Sequence, residues 1–167
     1  MTDLDALAAG FRYPGPESLE FLRSAAGSVE DSSIRRHFGR FVDVIGSLGQ
    51  EGWEELHTRT LDLSPLFVPY VGYVIWEDSY QRGAFLADMQ RVEKEAGIDP
   101  LGELSDHLDP VLRYLAVASE PLPGLVEIFP NALDRMVKAL AKAEPDNPYR
   151  FLLEATRAVS MPVGGAA

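Results

Sequence analysis

The chain has 167 residues, the length of one ordinary domain, which is enough to bury a sizeable hydrophobic core. It contains no cysteine, which excludes disulfides, thiolate nucleophiles and cysteine-ligated metal centres. Its 15 Lys and Arg residues are outnumbered by 26 Asp and Glu residues, and the resulting net charge of −11 argues against nucleic acid as a ligand and favours cationic partners.

Neither a targeting signal nor a membrane span is visible in the sequence. Residues 1–5 are acidic and lack the basic and apolar regions of a signal peptide. No stretch approaches the roughly 18 consecutive apolar residues of a transmembrane helix. We therefore expect a cytoplasmic protein that does not insert into a membrane.

Helical periodicity runs through the first half of the chain. We predict four helices there, at about residues 3–11, 16–27, 32–49 and 53–61. Thr2 or Asp3 would cap the first of them. Gly49 would end the third, whose apolar face runs from Ile34 to Leu48.

The second half of the chain is also helical in pattern. The predicted helices span about residues 65–76, 79–97, 106–118, 124–144 and 148–160. Ser64 and Pro65 have the pattern of a cap and a first-turn proline, and Asp106 that of a cap for the third of these helices.

The predicted fold class follows from these helices. Alternating strand patterns and Asn-Gly hairpin signals are absent from the sequence. We predict an all-α, single-domain helical bundle of about eight or nine helices that covers residues 1–160. Residues 161–167, rich in Gly and Ala, would form a flexible C-terminal tail.

Four ionisable residues, Glu103, Asp106, His107 and Asp109, fall within seven positions ahead of an apolar helical run. Asp106 and His107 could form an acid–base pair, but adjacent helical residues do not face each other. In the alternative, Asp106 caps the helix and His107 ties down the preceding loop. We favour this structural role, because no nucleophile or second base accompanies the pair.

A metal site is the alternative from another functional class. Glu54 and His57 have the Glu-x-x-His spacing of di-iron bundles, but the spacing does not recur, since Glu103 and His107 are four positions apart. An all-α metalloprotein or enzyme using these four residues is therefore a secondary hypothesis. The sequence also lacks His-Glu-x-x-His, a serine nucleophile elbow and a phosphate loop. We predict no catalytic residue, no cofactor and no metal.

An aromatic series provides a candidate binding surface. Tyr70, Tyr73 and Trp76 are three positions apart and Tyr80 follows at four, so these residues could share one side of a helix and its following turn. Such a series usually lies in the core, but Tyr and Trp also recur at binding surfaces. Beside the acidic turn at 77–78, it would form a groove suited to a basic amphipathic peptide helix.

Several short motifs resemble those of one known family. They are, in chain order, Phe11–Pro14, Leu61–Pro65, Tyr70–Tyr73, Trp76–Ser79, Arg82–Gly83, Glu103–Leu108, Val111–Ala116 and Asn147–Tyr149. Their order and spacing are similar to those of the NarJ group of molybdoenzyme assembly chaperones, which comprises NarJ of respiratory nitrate reductase and the related TorD and DmsD proteins. The resemblance runs from about residue 7 to 158. Ser105, Trp76 and Asp109 depart from the usual pattern.

The resemblance implies an all-helical, non-enzymatic chaperone. Such proteins bind the basic, signal-like N-terminal peptide of a molybdoenzyme catalytic subunit and assist insertion of the molybdenum cofactor before export or membrane docking. Molybdenum cofactor delivery proteins are further expected partners, and we expect a monomer or weak dimer. The predicted peptide-binding residues are Tyr70, Tyr73, Trp76, Glu77, Asp78, Glu103, Asp106, His107, Asp109 and Tyr114. A helical adaptor unrelated to molybdoenzymes is the third hypothesis.

Overall fold

The computed structural model describes residues 1–159 and 161, and eight α-helices follow one another in this part of the chain. They are α1 (Asp3–Gly10), α2 (Ser18–Ser28), α3 (Ser32–His57), α4 (Val71–Trp76), α5 (Tyr80–Glu95), α6 (Leu108–Val117), α7 (Pro123–Ala143) and α8 (Tyr149–Arg157). A π-helical turn, Thr58–Asp62, continues α3. The all-α prediction is confirmed. Residues 162–167 of the predicted tail lie outside the described residues, whereas Met161 packs against the core.

One hydrophobic core joins all eight helices. Helix α3 packs against α8 and α2, α1 packs against α6, and α7 packs against α4 and α8. Trp53 of α3 and Tyr149 of α8 are the largest fully buried side chains. Among the described residues, no helix combines the length and the apolar character needed to cross a bilayer.

Helix α3 is interrupted at Gly49, where we predicted that one helix ends and a separate helix follows. Gly49 adopts φ 77° and ψ 179°, which is not a helical conformation, so α3 consists of two helical segments joined by a kink at this residue. A glycine reaches this conformation at little cost because it has no Cβ atom.

Helix α4 begins at Val71 rather than near Pro65. The preceding backbone is extended and pairs with the segment ahead of α6: the Leu108 N–H donates to the Pro69 carbonyl at 3.0 Å, and the Val71 N–H donates to the Asp106 carbonyl at 2.9 Å. These bonds satisfy backbone groups that a longer helix would otherwise use. They also fix the aromatic series beside the Glu103–Asp109 segment.

Candidate functional site

Asp106 holds the two predicted segments together from the interior. Its carboxylate is fully buried and accepts two hydrogen bonds from Arg82, from Nε and Nη2, each at 3.1 Å. It also accepts the backbone N–H of Gly72 at 3.1 Å. This bidentate pairing of a buried carboxylate with a guanidinium links α5, the start of α4 and the loop before α6.

Arg82 also lies against the aromatic series. Its guanidinium carbon is 5.8 Å from the ring centroid of Tyr70 and 5.2 Å from that of Tyr73. Both distances suit a cation–π interaction. The two tyrosines and Asp106 therefore surround a single cation that belongs to this chain.

Gly72 is required by the close approach of Asp106 and Phe85. A Cβ atom at position 72 would lie 2.8 Å from Asp106 Oδ2 and 2.8 Å from Phe85 Cδ2. Both atoms belong to buried side chains that have little room to move.

We predict that Gly72→Ala lowers the free energy of unfolding by about 1–3 kcal/mol, the usual cost of overpacking a core. Urea denaturation at pH 7 measures the change. Gly83→Ala is the matched control, because a Cβ there meets open space on the exposed side of α5 and improves helix propensity. Equal changes in the unfolding free energy for Gly72→Ala and Gly83→Ala would contradict the close approach of Asp106 and Phe85 to position 72.

His107, rather than the predicted Asp106, is the N-cap of α6. Its Nδ1 accepts the backbone N–H of Asp109 at 3.0 Å, so the neutral ring carries its proton on Nε2. The ring is buried and lies edge-on to Tyr70, with 5.2 Å between centroids. Burial lowers the pKa of His107, against the opposing effect of nearby Glu103, Asp109 and Asp106.

This lowered pKa makes stability depend on pH. Below pH 6.5 the unfolded chain binds a proton at His107 that the folded chain does not, so stability falls as the pH falls. We predict that His107→Asn, which keeps a cap acceptor, reduces the loss of unfolding free energy between pH 7 and 5. Denaturation curves across that range measure it. Parallel pH profiles for the two proteins would refute the prediction.

Asp109 forms a second buried ionic cluster. It is 1% exposed and accepts Arg12 Nε at 3.0 Å, together with Arg113 Nε at 2.9 Å and Nη2 at 3.2 Å. Arg12 follows α1, so this cluster joins the beginning of the chain to α6. Arg113 also donates to the Asp99 carbonyl at 2.7 Å and thereby anchors the loop between α5 and α6.

A cavity of about 390 Å³ lies where these segments meet, and we call it the central cavity. Its lining residues come from the end of α1, the end of α3, the strand-like segment before α4, and the loop before α6. They are Phe11, Arg12, Tyr13, His57, Leu61, Asp62, Pro69, Tyr70, Leu101, Glu103, His107 and Asp109. On one wall, the exposed Glu103 accepts the Tyr70 hydroxyl at 2.7 Å.

The opposite wall is fixed by α8. The buried Tyr149 hydroxyl accepts Trp53 Nε1 at 3.0 Å and lies 3.1 Å from His57 Nδ1. Asn147 orients this tyrosine, since its Oδ1 accepts the Tyr149 N–H at 2.9 Å and its Nδ2 donates to Thr60 at 2.9 Å. His57 thus presents its other ring nitrogen toward Asp62, at 3.8 Å, and burial lowers its pKa.

The residues of the alternative metal site come together only in part. His57, Glu103 and His107 line the central cavity, whereas Glu54 lies against a different surface depression. Within the described residues, no group of three His, Asp or Glu side chains has a geometry that could hold a metal ion.

The ten predicted peptide-binding residues divide by exposure. Glu77, Asp78 and Glu103 are exposed. Tyr70, Tyr73 and Trp76 are half-buried, and Trp76 packs on Phe85 with 5.4 Å between ring centroids. Asp106, His107, Asp109 and Tyr114 are buried.

Burial gives structural roles to two carboxylates and a tyrosine that we predicted to contact the peptide. We predicted that Asp106 and Asp109 would bind a basic peptide, but both already bind arginines of this chain. Tyr114 is in the core, where its hydroxyl accepts the Leu122 N–H at 3.0 Å. None of these three side chains offers a free surface in this structure.

The functional roles of three side chains were not predicted from the sequence. Arg12 and Arg82 were noted only as parts of motifs, and their carboxylate partners lie 97 and 24 residues away. Glu93 was overlooked although a signal was present. It follows the buried Phe85 and Met89 at i+4 spacing, so it lies on the core face of α5.

No family model and no curated protein matches this chain. The geometry of the central cavity and the charge of its surroundings therefore carry the functional argument.

Proposed function

We propose that this protein is a cytoplasmic molybdoenzyme chaperone of the NarJ/TorD/DmsD type. It would bind the basic N-terminal peptide of a molybdoenzyme catalytic subunit and assist insertion of the molybdenum cofactor and assembly before export or membrane docking. It would perform no catalysis of its own.

The convergence of separate motifs on one cavity is the observation that carries the proposal. The motifs at 11–14, 70–73 and 103–108, which are far apart in sequence, each supply lining residues to the central cavity. Asn147 and Tyr149 of a fourth motif fix its far wall. Motifs that meet around one opening are expected if they serve one binding function.

The charge around this opening suits a basic peptide. Glu103 and Asp62 are exposed residues in the cavity lining. Glu77 and Asp78 are not among the lining residues, but they are exposed in the turn after α4 and would contact a peptide that extends beyond the cavity. The net charge of −11 adds long-range attraction. We assign the arginines of the peptide to these exposed carboxylates, and its apolar side chains to Tyr13, Tyr70 and Leu101 in the cavity together with Tyr73 and Trp76.

The backbone of Glu77 supports a functional turn. Glu77 adopts φ 55° and ψ −146°, a conformation that glycine reaches easily and that costs other residues of the order of 1–3 kcal/mol. A strained residue persists where the surrounding structure or a function requires its side chain. The Glu77 carboxylate makes no hydrogen bond or ion pair within the described residues, so we infer that its function lies in binding.

Glu77→Gly tests this function without a folding defect. Removing the strain should raise the free energy of unfolding by about 1 kcal/mol, while removing the charge should weaken peptide binding severalfold. Calorimetry with a peptide of the first ~30 residues of a molybdoenzyme catalytic subunit encoded beside this protein measures the affinity. Glu103→Gln should weaken it about tenfold, and affinity should fall with added salt.

Asp88→Asn is the control, because Asp88 is exposed on α5. Its ion pair with Arg91, at 3.7 Å, lies on the surface and contributes little to stability. Unchanged affinity in both Glu77→Gly and Glu103→Gln would overturn the proposed site. A gene neighbourhood without any molybdenum-cofactor oxidoreductase would count against the client class.

A further inference from the structure

A second cavity, distinct from the central cavity, lies between α5 and the loop at 97–105. It has a volume of about 630 Å³, and we call it the α5 cleft. Its apolar lining includes Leu86, Ile98 and Leu104. Leu104 is 51% exposed, so one side of the cleft is an accessible apolar surface.

Glu93 lines the α5 cleft and is its unusual member. The residue is 1% exposed, and among the described residues neither carboxyl oxygen has an ion pair or a hydrogen bond of good geometry. The Ser105 hydroxyl is near enough to favour the carboxylate, but it does not offset the loss of hydration. A buried carboxyl group without partners is costly, because it loses its hydration and gains nothing in return. Its neighbours Asp106 and Asp109, by contrast, are fully paired.

The charged groups that face Glu93 do not compensate for it. Arg113 of α6 is the nearby cation, but its guanidinium is directed to Asp109 and to the Asp99 carbonyl. Asp106 and Asp109 oppose ionisation of Glu93, and Ser105 favours it. Burial is the dominant effect and raises the pKa of Glu93 to about 8.

The remaining ionisable residues of the cleft give it an acidic rim. Asp99 and Glu103 are exposed at its edge, and among the described residues Lys94 is the one basic residue in its lining. Glu103 also lines the central cavity, so the two cavities share this residue. A single bound chain could therefore reach both.

We propose that the α5 cleft binds a guanidinium group of a basic partner, with Glu93 as the buried carboxylate that receives it. Both Glu93 oxygens are closed to solvent in the free protein, so the side chain turns toward the cleft as the ligand binds. A guanidinium then matches the two oxygens with two parallel N–H donors, and it gives up its hydration more readily than an ammonium does. The methylene groups of an arginine would contact Leu86, Ile98 and Leu104. That the arginine belongs to a client peptide rests on the proposed function, whereas binding of a guanidinium does not.

Binding changes the protonation of Glu93. At neutral pH the carboxyl group of the free protein is mostly protonated, since its pKa lies above 7. The arriving cation favours the carboxylate, so the proton leaves Glu93 for the solvent as the ion pair forms. Guanidinium binding at pH 7 is therefore coupled to proton release.

Argininamide is the probe, and NMR with carboxyl-labelled glutamate is the readout. The Glu93 resonance is assigned by its loss in Glu93→Gln. Saturating argininamide should lower the pKa of Glu93 by at least one unit. Glu93→Gln should weaken argininamide binding about tenfold or more and abolish proton release, measured by calorimetry in buffers of different ionisation enthalpy.

Glu95→Gln is the matched control, since Glu95 lies on the same helix with 67% of its side chain exposed. An unchanged Glu93 titration in argininamide, or equal affinity for Glu93→Gln and Glu95→Gln, would overturn the inference. If the client peptide binds but argininamide leaves Glu93 unaffected, the cleft proposal fails and the chaperone proposal stands. If argininamide shifts Glu93 but the peptide does not bind, the chaperone proposal fails and the cleft proposal stands.

Discussion

Replacing Asp106 by Ala is expected to lower the free energy of unfolding by about 3–5 kcal/mol, because it leaves the Arg82 guanidinium without its carboxylate in the interior. The Arg82 side chain is only 13% exposed, so water cannot replace the lost partner fully. The N–H of Gly72 loses its acceptor as well. Chemical denaturation at pH 7 measures the change.

The second half of this test is a double-mutant cycle. Arg82→Met removes the stranded cation, so the Asp106→Ala, Arg82→Met variant should lose less stability than the sum of its two single variants. Asp88→Ala, on an exposed part of the same helix as Arg82, should change stability by at most about 0.5 kcal/mol. A loss below about 1 kcal/mol for Asp106→Ala would contradict a buried ion pair.

Replacing Glu93 by Gln is expected to remove a large pH dependence of stability. The pKa of Glu93 is about 8 in the folded chain and near 4.5 in an unperturbed one, so the folded state keeps a proton that the unfolded state loses. The contribution of protonated Glu93 to the free energy of unfolding is therefore fully present below about pH 4.5. It falls as the pH rises and is lost above about pH 8.

The magnitude follows from the linkage between protonation and folding. Each unit of pKa difference corresponds to about 1.4 kcal/mol, and some solvent relaxation at the cleft reduces the total. The unfolding free energy of Glu93→Gln relative to the parent protein should rise by roughly 2–3 kcal/mol between pH 5 and 8.5. Glu95→Gln should show no such rise, and parallel curves for parent and Glu93→Gln would contradict the buried carboxyl group.

Three buried acidic residues, Asp106, Asp109 and Glu93, illustrate how position sets the role of a carboxylate. Asp106 and Asp109 have the same side chain as the exposed Asp78, yet they are buried and paired with arginines. Glu93 is equally buried but has no arginine or lysine partner in the part of the chain that the structure describes. Structural pairing explains the first two, and an unfilled binding position is our account of the third.

Much of the fold was predictable because helices depend on local interactions. The bounds of α5, α7 and α8 lie within a few residues of those predicted, since caps, apolar periodicity and breakers act over one or two turns. Helix α4 was predicted to begin too early. Its signals at Ser64 and Pro65 are overridden by backbone bonds to the segment at 106–108, which no local pattern reveals.

The candidate site was predictable in its residue types but not in their roles. The sequence identified Tyr70, Glu103 and His107, and the structure brings these residues together around one cavity. The sequence did not show which carboxylates are free to bind a partner and which are paired with arginines of the same chain. Arg12 lies 97 residues from Asp109 along the chain, so only the packing of α1 against α6 reveals that pair.

The amino-acid sequence by itself determined the helical class, the excess of negative charge and the absence of thiol chemistry. Each of these depends on composition or on interactions between residues three or four positions apart. The tertiary structure decided which carboxylates are paired, which are exposed and, among the residues it describes, which buried carboxyl group has no ion pair. Ionisation and binding depend on desolvation and on contacts of about 3 Å between distant segments, and these exist only once the helices have packed.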